Sequence, residues 1–169
     1  MKNERTYTWH DPADLAAAAA GRSGLDVLRA MAEGRIPPPP VGSLIGVNGM
    51  TVEKGKVSIG FDPAEFHYNT MGTVHGGVIA TVIDIVMGSA VHSTLKAGQG
   101  FTTLTLELKY HRAVTAKSGH LTATAEVVTR GREIVTAEAK LVDKGGRLFA
   151  NATSTLMILR LPSVPTAIG

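Results

Sequence analysis

Three observations predict an α+β fold in which one long central helix is wrapped by a curved antiparallel sheet, with a helical extension at the N-terminus. Residues 76–95 are apolar nearly all round, the pattern of a helix enclosed by protein on most sides. The stretches that follow alternate apolar with polar residues, the period of strands with one buried face. Small residues recur on the inward side of those strands, at Ala123, Ala125, Ala137 and Ala139, and would let a sheet curl closely around a helix. A helix followed by a run of strands reads as α+β.

Residues 11–33 read as two helical segments. Asp11-Pro12 opens the first as an N-cap followed by proline at the first helical position, and Ser23 is placed to cap the second. Leu25, Leu28 and Met31-Ala32 share a face before Gly34 and the run Pro37 to Pro40 stop the helix. The proline run reads as a stiff extended connector; as a ligand for a proline-binding module it lacks a flanking basic pattern. Residues 1–41 are therefore taken as an N-terminal extension and connector, and 42–169 as the main domain.

From Gly42 the pattern is strand-like, with Val57, Ile59 and Phe61 alternating against Lys56, Ser58 and Gly60 after the turn Glu53-Lys54-Gly55. Beyond the helix, Leu104, Leu106, Leu108 and Tyr110 are expected on the inward side of one strand. Residues 121–127, 135–141 and 148–159 supply three more, joined by the turns Arg130-Gly131-Arg132 and Asp143-Lys144-Gly145-Gly146.

Composition excludes several function classes. The 169 residues include no cysteine, which rules out disulfides, thiol catalysis and thiolate-ligated metal, and fits a cytoplasmic location. The first residues lack the apolar core of a signal peptide. The segment 76–95 is no membrane span, since Asp84, His92 and several hydroxyls interrupt it. A net charge of +3 suits a phosphate-bearing small ligand, whereas 5% aromatics are too few for nucleic-acid stacking platforms. The six histidines show no metal-binding spacing, and neither a nucleophile elbow nor a nucleotide-binding glycine motif occurs.

Asp84 is the single charged side chain between His75 and Leu95. A lone carboxylate in an apolar helix must be satisfied by its surroundings or put to work. At the start of the same helix Gly76 and Gly77 leave free N–H groups able to approach a ligand oxygen closely. Together these suggest acyl-transfer chemistry: an N–H to polarise a carbonyl and a carboxylate to activate water or attack it.

The run Asn69-Thr70-Met71-Gly72-Thr73-Val74-His75-Gly76-Gly77 followed by Asp84 resembles the hot-dog fold acyl-CoA thioesterases of the phenylacetate-pathway (PaaI-like) type, over about residues 42–160. The resemblance implies hydrolysis of an acyl-CoA, with Asp84 as base or nucleophile, Gly76 N–H as oxyanion donor, and Asn69, His75 and Thr103 in support. It implies substrate contacts at Gly77, Tyr110, Arg130, Gly131 and Arg132, with CoA as part of the substrate and no separate cofactor. Family members build the site at a subunit interface, so a homodimer or a dimer of dimers is expected.

Spacing points to two chains as well. Eight helical residues rise about 12 Å, too far for Gly76 N–H and Asp84 of one helix to bracket one carbonyl carbon at about 3 Å each. Antiparallel helices of two subunits would bring them together. Several assignments keep a second reading. Asn69 before a glycine turn can be a local backbone cap, and His75 at a helix start can serve neighbouring backbone groups. Thr102, not Thr103, shares strand parity with Leu104, so either fits unless a bulge intervenes. Arg130 and Arg132 can be solvated turn residues, and His92 reads as structural or surface. The rival functions are a hydratase of the same fold, disfavoured by the order of His-Gly-Gly and acid, and a non-catalytic acyl-CoA binder or sensor. A binder of an anionic ligand gains nothing from a nearby negative charge.

Overall fold

The computed structural model describes residues 2–161, so the last part of the 42–169 assignment, 162–169, lies outside the described residues. Helix α1 (Pro12–Ala19) starts where Asp11 accepts the Ala13 N–H at 2.8 Å. Helix α2 (Gly24–Ala32) starts at Ser23, whose hydroxyl accepts the Asp26 N–H at 3.3 Å. The proline run is not extended throughout: Pro40 opens a short helix, α3 (Pro40–Ile45), which ends at Gly46 with φ of 81°. The fixed φ of proline suits a first helical position, and the first strand consequently begins at Val47 rather than near Gly42.

Strands β1 (Val47–Glu53) and β2 (Lys56–Phe61) form a hairpin, and α4 (Gly76–His92) follows. After it come β3 (Gln99–Tyr110), β4 (Leu121–Arg130), β5 (Ile134–Asp143) and β6 (Leu148–Arg160). The sheet is antiparallel throughout, in the order β1-β2-β4-β5-β6-β3, so β1 and β3 are its edges. It curves around α4 in the hot-dog arrangement. Ala123, Ala125, Ala137 and Ala139 face inward and are buried. Their small side chains let the sheet close on Val82, Ile83, Val86 and Met87, all fully buried. Burying each such side chain of α4 contributes about 1.5–3 kcal/mol.

The extension packs onto the same core. A Cβ on Gly24 would lie 1.9 Å from the His92 carbonyl oxygen, so α2 can rest directly on the end of α4 because residue 24 has no side chain. The Gly24 N–H donates to the Leu95 carbonyl at 3.1 Å. The helix ends at His92, short of Leu95, because Ser93 takes over: its hydroxyl donates to the Ala90 carbonyl at 2.6 Å and accepts the Gly55 N–H at 2.7 Å.

One strand departs from simple alternation. The β3–β6 register shifts between Thr103 and Thr105, a bulge that reverses side-chain facing across it. Leu104, expected inward, is 50% exposed, while Thr103 turns toward α4. Among the described residues no helix is long and apolar enough to cross a membrane.

Candidate active site

The start of α4 is held by a tightly bonded loop. The Asn69 side-chain oxygen accepts the N–H groups of Met71 (2.9 Å) and Thr73 (3.3 Å), and its amide donates to the Thr73 hydroxyl at 3.0 Å. Its hydrogen bonds thus close the 69–73 turn, the local role of asparagine in such turns. His75 is the N-cap of α4, and its Nδ1 accepts the Gly77 N–H at 3.0 Å. An accepting Nδ1 leaves Nε2 as the protonated nitrogen of a neutral ring. The Gly77 N–H is thereby occupied. The Gly76 N–H makes no hydrogen bond among the described residues, and it stands at the positive end of the helix dipole.

Tyr110 secures that peptide from the other side, donating its hydroxyl to the Gly76 carbonyl at 2.9 Å. Burial pushes the Tyr110 pKa up and keeps the phenol protonated. A Cβ at residue 76 would lie 3.1 Å from the Tyr110 oxygen, so glycine permits the close approach. A cleft of about 330 Å³ opens here, lined by Thr73, Gly76, Ile79, Tyr110, His111 and Arg112 among others.

Asp84 lies two turns further along α4, partly buried. The Thr103 hydroxyl donates to its Oδ1 at 3.0 Å. No ion pair or other hydrogen bond reaches the carboxylate among the described residues, which leaves most of its lone-pair sites open. Asp84 lines a second cleft, also of about 330 Å³, with Met31 from α2, Met50 from β1, Phe101 from β3 and His92 from the end of α4.

Gly76 and Asp84 therefore line different clefts of one chain. Since α4 is continuous from Gly76 to His92, the rise between them is the full ~12 Å. The turn carrying Arg130, Gly131 and Arg132 is further still. Arg130 Nε donates to the Thr94 hydroxyl at 3.1 Å, fixing the turn near the far end of α4, and the Gly131 N–H closes it on the Ile134 carbonyl at 2.8 Å. Arg132 is exposed there. The fold thus joins Asp84 to Thr103 and Gly76 to Tyr110, and keeps these pairs apart from each other and from the arginine turn.

His92, read from the sequence as structural or surface, lines the Asp84 cleft. The signal was present: Asp84, Gly88 and His92 stand at i, i+4 and i+8, on one side of a helix. Gly88 matters because a Cβ there would come within 2.9 Å of the Phe101 ring.

The thioesterase superfamily profile matches residues 71–150. Acyl-coenzyme A thioesterase 13 of Homo sapiens is 29% identical over 103 residues, 60% of this chain and 71% of that protein. Among solved structures, a phenylacetic acid degradation-related protein from Ralstonia eutropha JMP134 superposes with a TM-score of 0.70 at 28% identity, covering 77% of this chain and 98% of that one. The smu.793 protein of Streptococcus mutans UA159, solved bound to acetyl CoA, superposes with a TM-score of 0.61 at 25% identity, covering 68% and 90%. These likenesses support a hydrolase that acts on thioesters.

Proposed function

We propose that this chain, a hot-dog protein of the thioesterase superfamily type, hydrolyses acyl-CoA to a free acid and CoA at a site shared by two copies. The observation that carries this reading is the pairing of an uncommitted Gly76 N–H in one cleft with an open, Thr103-anchored Asp84 in another. Two-fold pairing with antiparallel α4 helices would superimpose the clefts in trans. Strand β3 offers the means, as a twelve-residue edge strand whose outer N–H and C=O groups invite pairing with a second copy.

In the proposed site the thioester carbonyl accepts the Gly76 N–H of one subunit, which stabilises the negative charge that develops on oxygen. Asp84 of the other subunit removes a proton from attacking water or attacks the carbonyl itself, and Thr103 holds the reacting carboxylate in one orientation. When Asp84 activates water, CoA leaves as the thiol with the proton taken from that water; when Asp84 attacks, CoA leaves as the thiolate and water then hydrolyses the acyl-aspartyl anhydride to the free acid, with no metal or redox cofactor in the proposed sequence. Tyr110 fixes the Gly76 peptide, while Asn69 and His75 set the loop and the helix start. With antiparallel helices, the Arg130-Gly131-Arg132 turn at the far end of one α4 approaches the Gly76 end of the other, where the CoA phosphates would lie.

Thiol release from a panel of aromatic and aliphatic acyl-CoAs, by wild type and Asp84→Asn side by side, tests the reading. Turnover with a loss of about 10²-fold or more in the variant is expected for removal of a base or nucleophile. Binding of acyl-CoA without turnover by wild type would replace the reading with a non-catalytic binder or sensor.

A further inference from the structure

The N-terminal extension reaches the start of α4 through a chain of side-chain contacts that the packing of α2 does not require. Arg5 lies in the segment that precedes α1, and its guanidinium sits on the last turn of α3. Its Nη1 donates to the Leu44 carbonyl at 2.7 Å and its Nη2 to the Ser43 carbonyl at 3.2 Å. The next carbonyl, that of Ile45, accepts the His67 Nε2–H at 2.8 Å. Carbonyls that a helix end would leave orphaned are thus taken up by one side chain from the extension and one from the segment 62–75 between β2 and α4. The same guanidinium lies 3.9 Å over the centroid of the Phe66 ring, whose centroid is in turn 4.2 Å from that of the His67 imidazole.

His67 passes the contact on to the helix start. Its Nδ1 accepts the Ala64 N–H at 3.1 Å, and its carbonyl accepts the His75 N–H at 2.8 Å. His75 is the N-cap of α4, and the N–H that follows is that of Gly76. With Nδ1 accepting and Nε2 donating, both ring nitrogens are committed in one neutral tautomer. The ring is buried beside Phe61 and Phe66. The other titratable groups of the segment are engaged elsewhere: Asp62 bonds His120 and Asn48, Glu65 is exposed, the Tyr68 hydroxyl accepts the Ala116 N–H, and the His75 ring accepts the Gly77 N–H. Burial lowers the His67 pKa, the bond to the Ile45 carbonyl opposes this, and the like charge of Arg5 lowers it further.

Resting on the thioesterase reading, we infer that Arg5 is a positioning residue for that reaction: through Phe66, His67 and the His75 backbone it holds the Gly76 N–H in place for the developing oxyanion. Such a donor works only within about 2.7–3.1 Å of where the charge appears. Play in the segment 62–75 therefore weakens stabilisation of the transition state without weakening binding of the ground state. Releasing Arg5 acts on kcat rather than on KM. Protonating His67 loosens the same segment by another route, because an Nδ1–H would face the Ala64 N–H and cancel the hydrogen bond between them.

The test compares wild type with Arg5→Met, which loses the charge and the donors of an exposed side chain, and with Arg5→Lys, which keeps the charge. Thiol release from acyl-CoA should show kcat lowered about three- to tenfold in Arg5→Met, the scale of a lost hydrogen bond, with KM little changed. The acid limb of its kcat profile should move to higher pH, since without the like charge His67 takes up a proton more readily. Arg5→Lys should keep the wild-type acid limb and recover part of the rate. An unchanged kcat in Arg5→Met, or a loss that appears in KM alone, overturns the assignment and leaves the thioesterase reading intact. The Gly76 amide resonance gives a second readout that needs no turnover: Arg5→Met should displace it. An undisplaced resonance overturns the link from Arg5 to Gly76, whereas a wild type that releases no thiol overturns the thioesterase reading and with it the catalytic role of that link.

Discussion

The Thr103 hydroxyl donates to Asp84 Oδ1 at 3.0 Å, linking the edge strand of the sheet to the middle of the central helix. Hydrogen bonds to charged groups contribute roughly 1.5–3 kcal/mol. Thr103→Val should therefore lower kcat by about ten- to a hundredfold with KM little changed, and Thr103→Ser should retain most of the rate. Steady-state thiol release checks this. Equal rates for wild type and the valine variant would remove Thr103 from the site.

Gly76→Pro tests the proposed oxyanion donor. Proline suits a first helical position, and His75, at φ −59° and ψ 135°, already has the conformation that precedes a proline. The substitution deletes one N–H while leaving the helix start intact. A loss of about 10²–10³ in kcat is expected. Gly76→Ala meets the same close contact with Tyr110 but keeps the N–H, so its loss should be much smaller. Parity of the two variants would show that the contact, not the donor, matters.

Tyr110→Phe removes the hydrogen bond to the Gly76 carbonyl. A net loss of about 0.5–1.5 kcal/mol corresponds to a drop of roughly three- to tenfold in kcat/KM. The same assay reads it, and an unaltered rate would mean that the loop and His75 fix the Gly76 peptide unaided.

Stability should fall in mild acid. Burial holds both His67 and His92 below their ordinary pKa; for His67 the nearby Arg5 adds to this, and a hydrogen bond to the Ile45 carbonyl opposes it. Unfolded, both return to about 6.5. Below that value the unfolded chain binds protons that the folded chain refuses, so stability is full above about pH 6.5 and declines as pH drops toward the depressed folded values. The urea midpoint should be lower at about pH 5 than at about pH 7.5. An unchanged midpoint would contradict the burial of these imidazoles.

Much of this was legible in the sequence, for identifiable reasons. The all-round apolar character of 76–95 marks an enclosed helix, and alternation marks β4 and β5 together with their inward alanines. Asp11 and Ser23 cap the helices they precede. What escaped depends on tertiary context. The β3 bulge is imposed by pairing with β6, some fifty residues away, and it moves Thr103 inward and Leu104 outward. Pro40 can end one element or begin another, and only packing decides. His92 joins the Asp84 cleft through the N-terminal extension and the hairpin, which close it from regions distant in sequence.

Subunit mixing bears most directly on the central claim, that the oxyanion donor and the carboxylate of one working site come from different chains. Gly76→Pro and Asp84→Asn proteins, each inactive alone, are unfolded together and refolded at equal concentration before thiol release is measured. Random pairing makes half the dimers mixed, each with one intact site of two, so about a quarter of wild-type activity should return. Dimeric mixtures with no recovery would contradict a shared site and place both groups in the service of their own chain.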